Sequence, residues 1–244
     1  MRNREDKMTE QEIRKVFDHV ASQYAGTKWV ACKLDFSGYK DEGYNYGLLM
    51  YTPLDEIMRL DNYDEENQNQ IQRRTFPRAE RMKHTLLEEC RQAGIKLHVP
   101  PIPVDHQTPP YITPLSAKEI GVKGGAGWIG KSDLLVTFEY GTRICTLGAV
   151  FYADEFTVGE PVTESRCGDC DLCVKACPYR NIYGNEWGPG VTRDDLVDYH
   201  KCSVVRYMIG EKNKLGRKVT CAKCVLACPV GEENVQRVID ENYR

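Results

Sequence analysis

The sequence predicts an α+β domain followed by a small cysteine-rich domain, and three observations carry that reading. Strand-like apolar runs are mixed with helical patterns and a hairpin signal over the first 155 residues, which points to an α+β arrangement. Cysteine usage then breaks sharply. Of the 11 cysteines, Cys32, Cys90 and Cys145 are scattered through that first part, and the other eight lie between Cys167 and Cys228. Between the two parts, residues 154–166 (DEFTVGEPVTESR) hold a glycine, a proline and several polar residues, as a surface connection does. The expected domains are therefore 1–155 and 156–244.

Thr9 is the expected N-cap of a helix over 9–24, where Ile13, Val16, Phe17 and Val20 recur at helical spacing. Residues 27–34 (TKWVACKL) and 44–51 (YNYGLLMY) read as strands. The acidic-amide run 61–70 reads as an exposed loop or helix start. Residues 75–94 read as a helix, with Gly94 as its C-cap. Residues 95–103 read as a short strand stopped by prolines. Residues 133–152 contain two apolar runs, LLVTF and RICTLGAVFY, around Glu139-Tyr-Gly-Thr, and read as a hairpin.

Composition excludes several classes. With 41% apolar residues the chain has enough to bury a core, so it is not disordered. No stretch of ~20 residues is free of charge, so no transmembrane helix and no membrane partner are expected. A net charge of −3 gives no global footprint for nucleic acid and leaves room only for a local patch. The N-terminus is of mixed charge with no apolar segment behind it, so no secretory signal is read and a cytoplasmic location is expected. Thiols stay reduced there, and clustered cysteines hold metal rather than form disulfides.

The cysteine spacing narrows the metal. Cys167, Cys170, Cys173 and Cys177-Pro178 follow C-x₂-C-x₂-C-x₃-C-P, the run of bacterial ferredoxins; Cys221, Cys224 and Cys228-Pro229 follow C-x₂-C-x₃-C-P. The second run is one cysteine short, and Cys202 completes it. Eight thiolates supply two 4Fe–4S clusters. Three thiolates two residues apart wrap one cluster, and the fourth cysteine of each run ligates the other cluster. Cluster one then takes Cys167, Cys170, Cys173 and Cys228; cluster two takes Cys177, Cys202, Cys221 and Cys224. Zinc ribbons also use C-x₂-C pairs, but zinc needs neither the third cysteine of the triplet nor two trailing Cys-Pro steps. Cys32, Cys90 and Cys145 sit in apolar surroundings and read as small buried hydrophobes.

The part before the clusters is far more than an electron carrier needs, which favours an enzyme. Two segments there look chemical. Asp105 and His106 lie where a strand runs into Gln107-Thr-Pro-Pro110. Asp105 is either a turn residue bonded to its own backbone or, with its pKa raised by burial, a general acid; His106 is the alternative proton donor. Gly127-Trp-Ile-Gly130-Lys131-Ser132 lacks the spacing of a phosphate loop, but its glycines let backbone approach a large flat cofactor. Farther on, 206–218 carries Arg206, Lys212, Lys214, Arg217 and Lys218 against Glu211, and reads as a solvated loop or as a docking face for an acidic electron donor such as a flavodoxin or ferredoxin.

The order Val-Asp, Gly-Trp-Ile-Gly-Lys, Leu-Leu-Val with Glu-Tyr-Gly, the first cysteine run, a lone cysteine and the second run resembles the epoxyqueuosine reductases and the related cobalamin-dependent reductive dehalogenases. The resemblance covers roughly 104–230. It implies a nitroreductase-like cofactor domain followed by a bacterial two-cluster ferredoxin-like domain, and a base-off cobalamin reduced by the clusters. It further implies Asp105 as proton donor, with Gly127, Gly130, Lys131, Ser132 and Ser203 near the corrin. Two departures stand out. His106-Gln-Thr-Pro replaces the small residue and proline that follow Val-Asp in the family, with no arginine before Arg143. The chain also ends 16 residues after Cys228, as a short form without the family's C-terminal helical repeats. The reading is thus a corrinoid-dependent reductase of a small molecule or modified nucleoside, with tRNA possible but not favoured. The alternatives are epoxyqueuosine reduction on tRNA, or a non-enzymatic protein that reduces a partner's corrinoid or flavin.

Overall fold

The computed structural model describes residues 8–101, 113–212 and 221–243. Helix α1 (Glu10–Ser22) starts at Thr9, whose hydroxyl accepts from the Glu12 amide while Glu12 reaches back to the Thr9 backbone. Strands β1 (Lys28–Lys33) and β2 (Tyr46–Pro53) follow, then helix α2 (Glu65–Ala93) and the two-residue strand β3 (Leu97–His98). Helix α3 (Ala117–Lys123) leads into β4 (Gly127–Ile129), β5 (Leu135–Thr137) and β6 (Ile144–Phe151). Among the described residues the second part holds helices α4 (Leu172–Ala176), α5 (Arg193–Leu196), α6 (Tyr199–Lys212), α7 (Lys223–Ala227) and α8 (Glu232–Asn242).

The larger sheet is antiparallel in the order β1-β2-β6-β3, and β2 pairs with β6 from Tyr46↔Phe151 to Pro53↔Ile144. Alternation along β2 explains its place at the centre. Leu48 and Met50 face one layer with Ile13, Phe17 and Val20 of α1 and Met82 and Leu86 of α2. Leu49 and Tyr51 face the opposite layer, with Ile120 of α3, Leu135, and Ile182, Leu196, Val235 and Val238 from the second part. One core thus takes side chains from both sides of residue 155.

Three expectations need correction. Helix α2 begins ten residues before the expected start, because Asp64 caps it by accepting from the Asn67 amide, so residues 65–70 of the acidic-amide run form its first turns. Its Pro77 removes one backbone donor, and the buried Arg78 beside it fixes the helix to the sheet by donating to Ala25 O at 2.7 Å and Thr52 Oγ1 at 2.6 Å. The 133–152 hairpin does not form. β5 pairs with β4, and β6 pairs with β2 and β3, because the eight-residue register with β2 buries more of β6 than a short ladder to β5 would. The connection over 154–166 is also not all surface: Phe156 is buried in edge contact with Phe151 at 5.1 Å. Gly94 does cap α2 in the left-handed conformation, at φ 79°.

Candidate functional site

Short helices place the cysteines. Asp171 precedes α4, and Cys173 and Cys177 flank it from within and beyond. Cys224 lies on α7, which packs on α4, and Cys228 ends it. Cys202 lies on α6. Two sets of thiols come close enough to feel each other's charge. Burial first, then Cys167, Cys170 and Cys228 push the Cys173 thiol up to about 11. Burial first, then Cys202, Cys221, Cys173 and Cys177 push Cys224 up to about 12. Such thiols stay protonated unless a metal takes the proton's place.

A cavity of about 140 Å³ with largely apolar walls is lined by Cys177, Cys202, Cys221 and Cys224 together with Ser132 and Asp133 of the first part. Among the described residues, no three His, Cys, Asp or Glu converge on a point as ligands of a single ion do. Four cysteine sulfurs around a largely apolar hole fit an iron–sulfur centre.

The glycine-rich segment joins the first part to the thiols. A Cβ on Gly127 would overlap the Val136 carbonyl across the β4–β5 ladder, and one on Gly130 would lie 3.6 Å from Cys167 Sγ. Lys131, nearly buried, donates from Nζ to Gly168 O at 2.6 Å, and its Nζ lies 3.3 Å from Glu186. Ser132 borders the cavity, and Ser203 is buried on α6. Ser132 and the Gly130–Lys131 step thus lie beside the cysteine segment, and none of the five residues lines the groove between α2, α3 and β6. Asp105 and His106 lie outside the described residues.

That groove, of about 790 Å³, runs between α2, α3 and β6 and is walled by Val99, Pro100, Leu115, Ala117 and Leu147. Both flanks of the 102–112 segment, Pro101 and Thr113, line it. Its size and apolar walls fit a large flat ligand. The half-buried Cys145 opens onto it, whereas Cys32 and Cys90 are buried as expected, their thiols raised to about 12 by burial.

An ion pair separates groove from cavity, and nothing in the sequence singled it out. Lys118, on the groove wall, donates from Nζ to Asp133 Oδ2 at 2.5 Å and to Asp133 O at 2.9 Å. Asp133, on the cavity wall, sits at φ 58°, a left-handed conformation that Asp and Asn tolerate. Burial raises its carboxyl pKa; Lys118 and the charge of Arg193 oppose that, and Asp194 adds to it. A group whose folded pKa is raised contributes stability below its unfolded pKa and loses it as pH rises through the folded value. Asp133→Asn keeps the turn and the acceptor for Lys118. The variant is therefore expected to gain stability relative to the parent between acid and neutral pH, checked by paired unfolding curves of reconstituted proteins. A difference independent of pH would reject the raised pKa.

Residues 166–231 match the family model described as a 4Fe-4S double cluster binding domain. The epoxyqueuosine reductase of Listeria monocytogenes is 31% identical over 116 residues, which is 47% of this chain and 29% of that protein. The chain thus spans about a third of the length of the curated relatives it matches. A crystal structure of epoxyqueuosine reductase with an epoxyqueuosine-modified tRNA stem loop shares the fold at TM-score 0.59, with 13% identity over 94% of this chain and 68% of the other. A B12-dependent reductive dehalogenase structure does so at TM-score 0.59, with 13% identity over 98% and 39%. The Asp133–Lys118 pair and the two thiol sets thus lie in a chain that matches a 4Fe-4S double cluster binding domain over 166–231, resembles the epoxyqueuosine reductases over about half its length and shares the fold of a reductive dehalogenase.

Proposed function

We propose that this chain is an iron–sulfur reductase that delivers single electrons from two 4Fe–4S clusters to a cofactor held in the 790 Å³ groove. The observation that carries the reading is the contiguity of the thiol cavity, the Lys118–Asp133 pair and the groove. Lys118 lines the groove, Asp133 lines the cavity, and Lys118 Nζ bonds Asp133 Oδ2 at 2.5 Å. Cluster one takes Cys167, Cys170, Cys173 and Cys228, and cluster two takes Cys177, Cys202, Cys221 and Cys224. The clusters supply one-electron transfer when bound.

The groove cofactor in this proposal is a base-off cobalamin, and the first part is a nitroreductase-like domain ending near 155. Cobalamin, when bound, supplies low-valent cobalt. The chain's own residues do the rest. Leu115, Ala117 and Leu147 exclude water from one face of the ligand, and Lys118 holds a positive charge on the groove wall. Asp105, on the segment whose flanks reach the groove, gives a proton to the substrate. Gly127, Gly130, Lys131, Ser132 and Ser203 would help hold the corrin beside the cluster segment.

A reduced donor must feed the clusters. An acidic flavodoxin or ferredoxin fits the basic stretch 206–218, of which 206–212 lies on or at the end of α6. Epoxyqueuosine on tRNA is the second reading for the substrate, favoured by the name of the matched relatives. No helix among the described residues is long and apolar enough to cross a membrane, and a cytoplasmic setting suits reduced clusters.

Titration with cobalamin under anaerobic conditions tests the proposal. A cobalt absorption change saturating at one equivalent per chain, lost on blocking the groove with Ala117→Trp, supports it. Unchanged spectra with intact clusters would leave an electron carrier.

A further inference from the structure

The first part of the chain also reaches across the fold to cluster one, through a buried arginine at the turn before β6. Arg143 is 2% exposed, one of the most deeply buried large side chains of the protein. It donates from Nη1 to Cys228 O and from Nη2 to Leu226 O at 2.9 Å and to Glu232 Oε2 at 2.8 Å. Its neighbour Thr142 donates to Val225 O at 2.8 Å. Two consecutive residues of the first part thus hold the last turn of α7 and the backbone of Cys228.

The charge is incompletely matched. Two partners are neutral carbonyls. The third, Glu232, is 40% exposed, so water screens much of its field. Arg143 Nε is buried with no hydrogen-bond partner among the described residues. A full positive charge in so dry a place needs an anion or costs several kcal/mol. A cluster bound by four thiolates is anionic and becomes more so on taking an electron.

We propose that Arg143 is a positioning and potential-setting residue for cluster one, whose positive charge favours the reduced state of the cluster ligated by Cys228. The inference rests on the cluster assignment above. Buried charge beside an iron–sulfur centre acts directly on its potential, because low dielectric leaves it unscreened. Arg143 and Glu232 therefore pull in opposite directions. Removing the arginine lowers the potential of one cluster; removing the carboxylate raises the potential of the same cluster. The other cluster is unaffected.

Potentiometric titration of the anaerobically reconstituted protein, followed by electron paramagnetic resonance, reads this directly. Arg143→Gln is expected to make one cluster at least tenfold harder to reduce, which is about 59 mV for a one-electron couple. Glu232→Gln is expected to shift the same signal the opposite way by a smaller factor, and it leaves the carbonyl contacts of Arg143 intact. Iron and sulfide analysis of each variant comes first. Full iron with both potentials unmoved overturns the proposal. If Arg143→Gln loses iron, Glu232→Gln alone decides, and an unmoved potential in that variant overturns it as well. A parent protein that binds no iron refutes the cluster reading itself, a different result from either.

Discussion

Cys202→Ser is expected to lower bound iron from about eight to about four atoms per chain after anaerobic reconstitution, since each 4Fe–4S cluster takes four thiolates. Serine oxygen is a poor ligand for such a cluster, and the three thiols left around the cavity cannot close the fourth corner. The informative measurement is the double variant. Cys177 belongs to the first run by sequence, but it lines the same cavity as Cys202. If each run lends its last cysteine to the other cluster, Cys177→Ser with Cys202→Ser strikes one cluster twice and still leaves about four irons. Cys170→Ser with Cys202→Ser strikes both and leaves almost none. If each run instead filled its own cluster, Cys177→Ser with Cys202→Ser would empty the protein. Stoichiometric zinc in the parent would reject iron altogether.

The cysteines were the most legible part of the site because ligand spacing is a local property. Four thiols within eleven residues constrain their own geometry, and the proline after each run stops the short helix where the last thiol must turn away. Helix α1 was legible for the same reason, since Thr9 and Glu12 cap it within one turn. What the sequence hid was long-range. LLVTF and RICTLGAVFY look like partners because they are neighbours, yet β6 finds a better register with β2, nearly a hundred residues earlier. The Lys118–Asp133 pair joins residues 15 apart across a glycine-rich turn, and no periodicity marks either one. The bond from the Lys131 ammonium to the Gly168 carbonyl, beside Cys167, is likewise long-range, and no local pattern around the glycine loop encodes it. Arg143 was noticed only as the first arginine after a motif. Its burial follows from the docking of α7 and α8 onto the first part, which no local pattern encodes.

Asp105→Asn is expected to leave both clusters and cobalamin binding intact while reducing turnover by about 10²-fold or more, the usual cost of a missing general acid. Removing an epoxide oxygen as water takes two electrons and two protons; replacing a carbon–halogen bond by carbon–hydrogen takes two electrons and one proton. Clusters supply only the electrons. The proton must come from a group beside the groove that is protonated near neutral pH and replenished between turnovers. Lys118 lines the groove but is committed to Asp133 by two hydrogen bonds. Asp105 and His106 lie on the segment bounded by the groove residues Pro101 and Thr113. A carboxyl buried in apolar surroundings has its charged form disfavoured and so keeps its proton to higher pH. Turnover of an RNA stem loop carrying epoxyqueuosine, followed in the parent, in Asp105→Asn and in His106→Gln, assigns the donor. Loss in Asp105→Asn with a small effect in His106→Gln gives the role to the carboxyl, and the reverse gives it to the imidazole. Parental rates in both variants would place the proton source elsewhere. The parent's rate should also fall as pH rises through the pKa of the acid, whereas the residual rate of Asp105→Asn should lack that limb, which separates loss of a proton donor from loss of a merely structural contact.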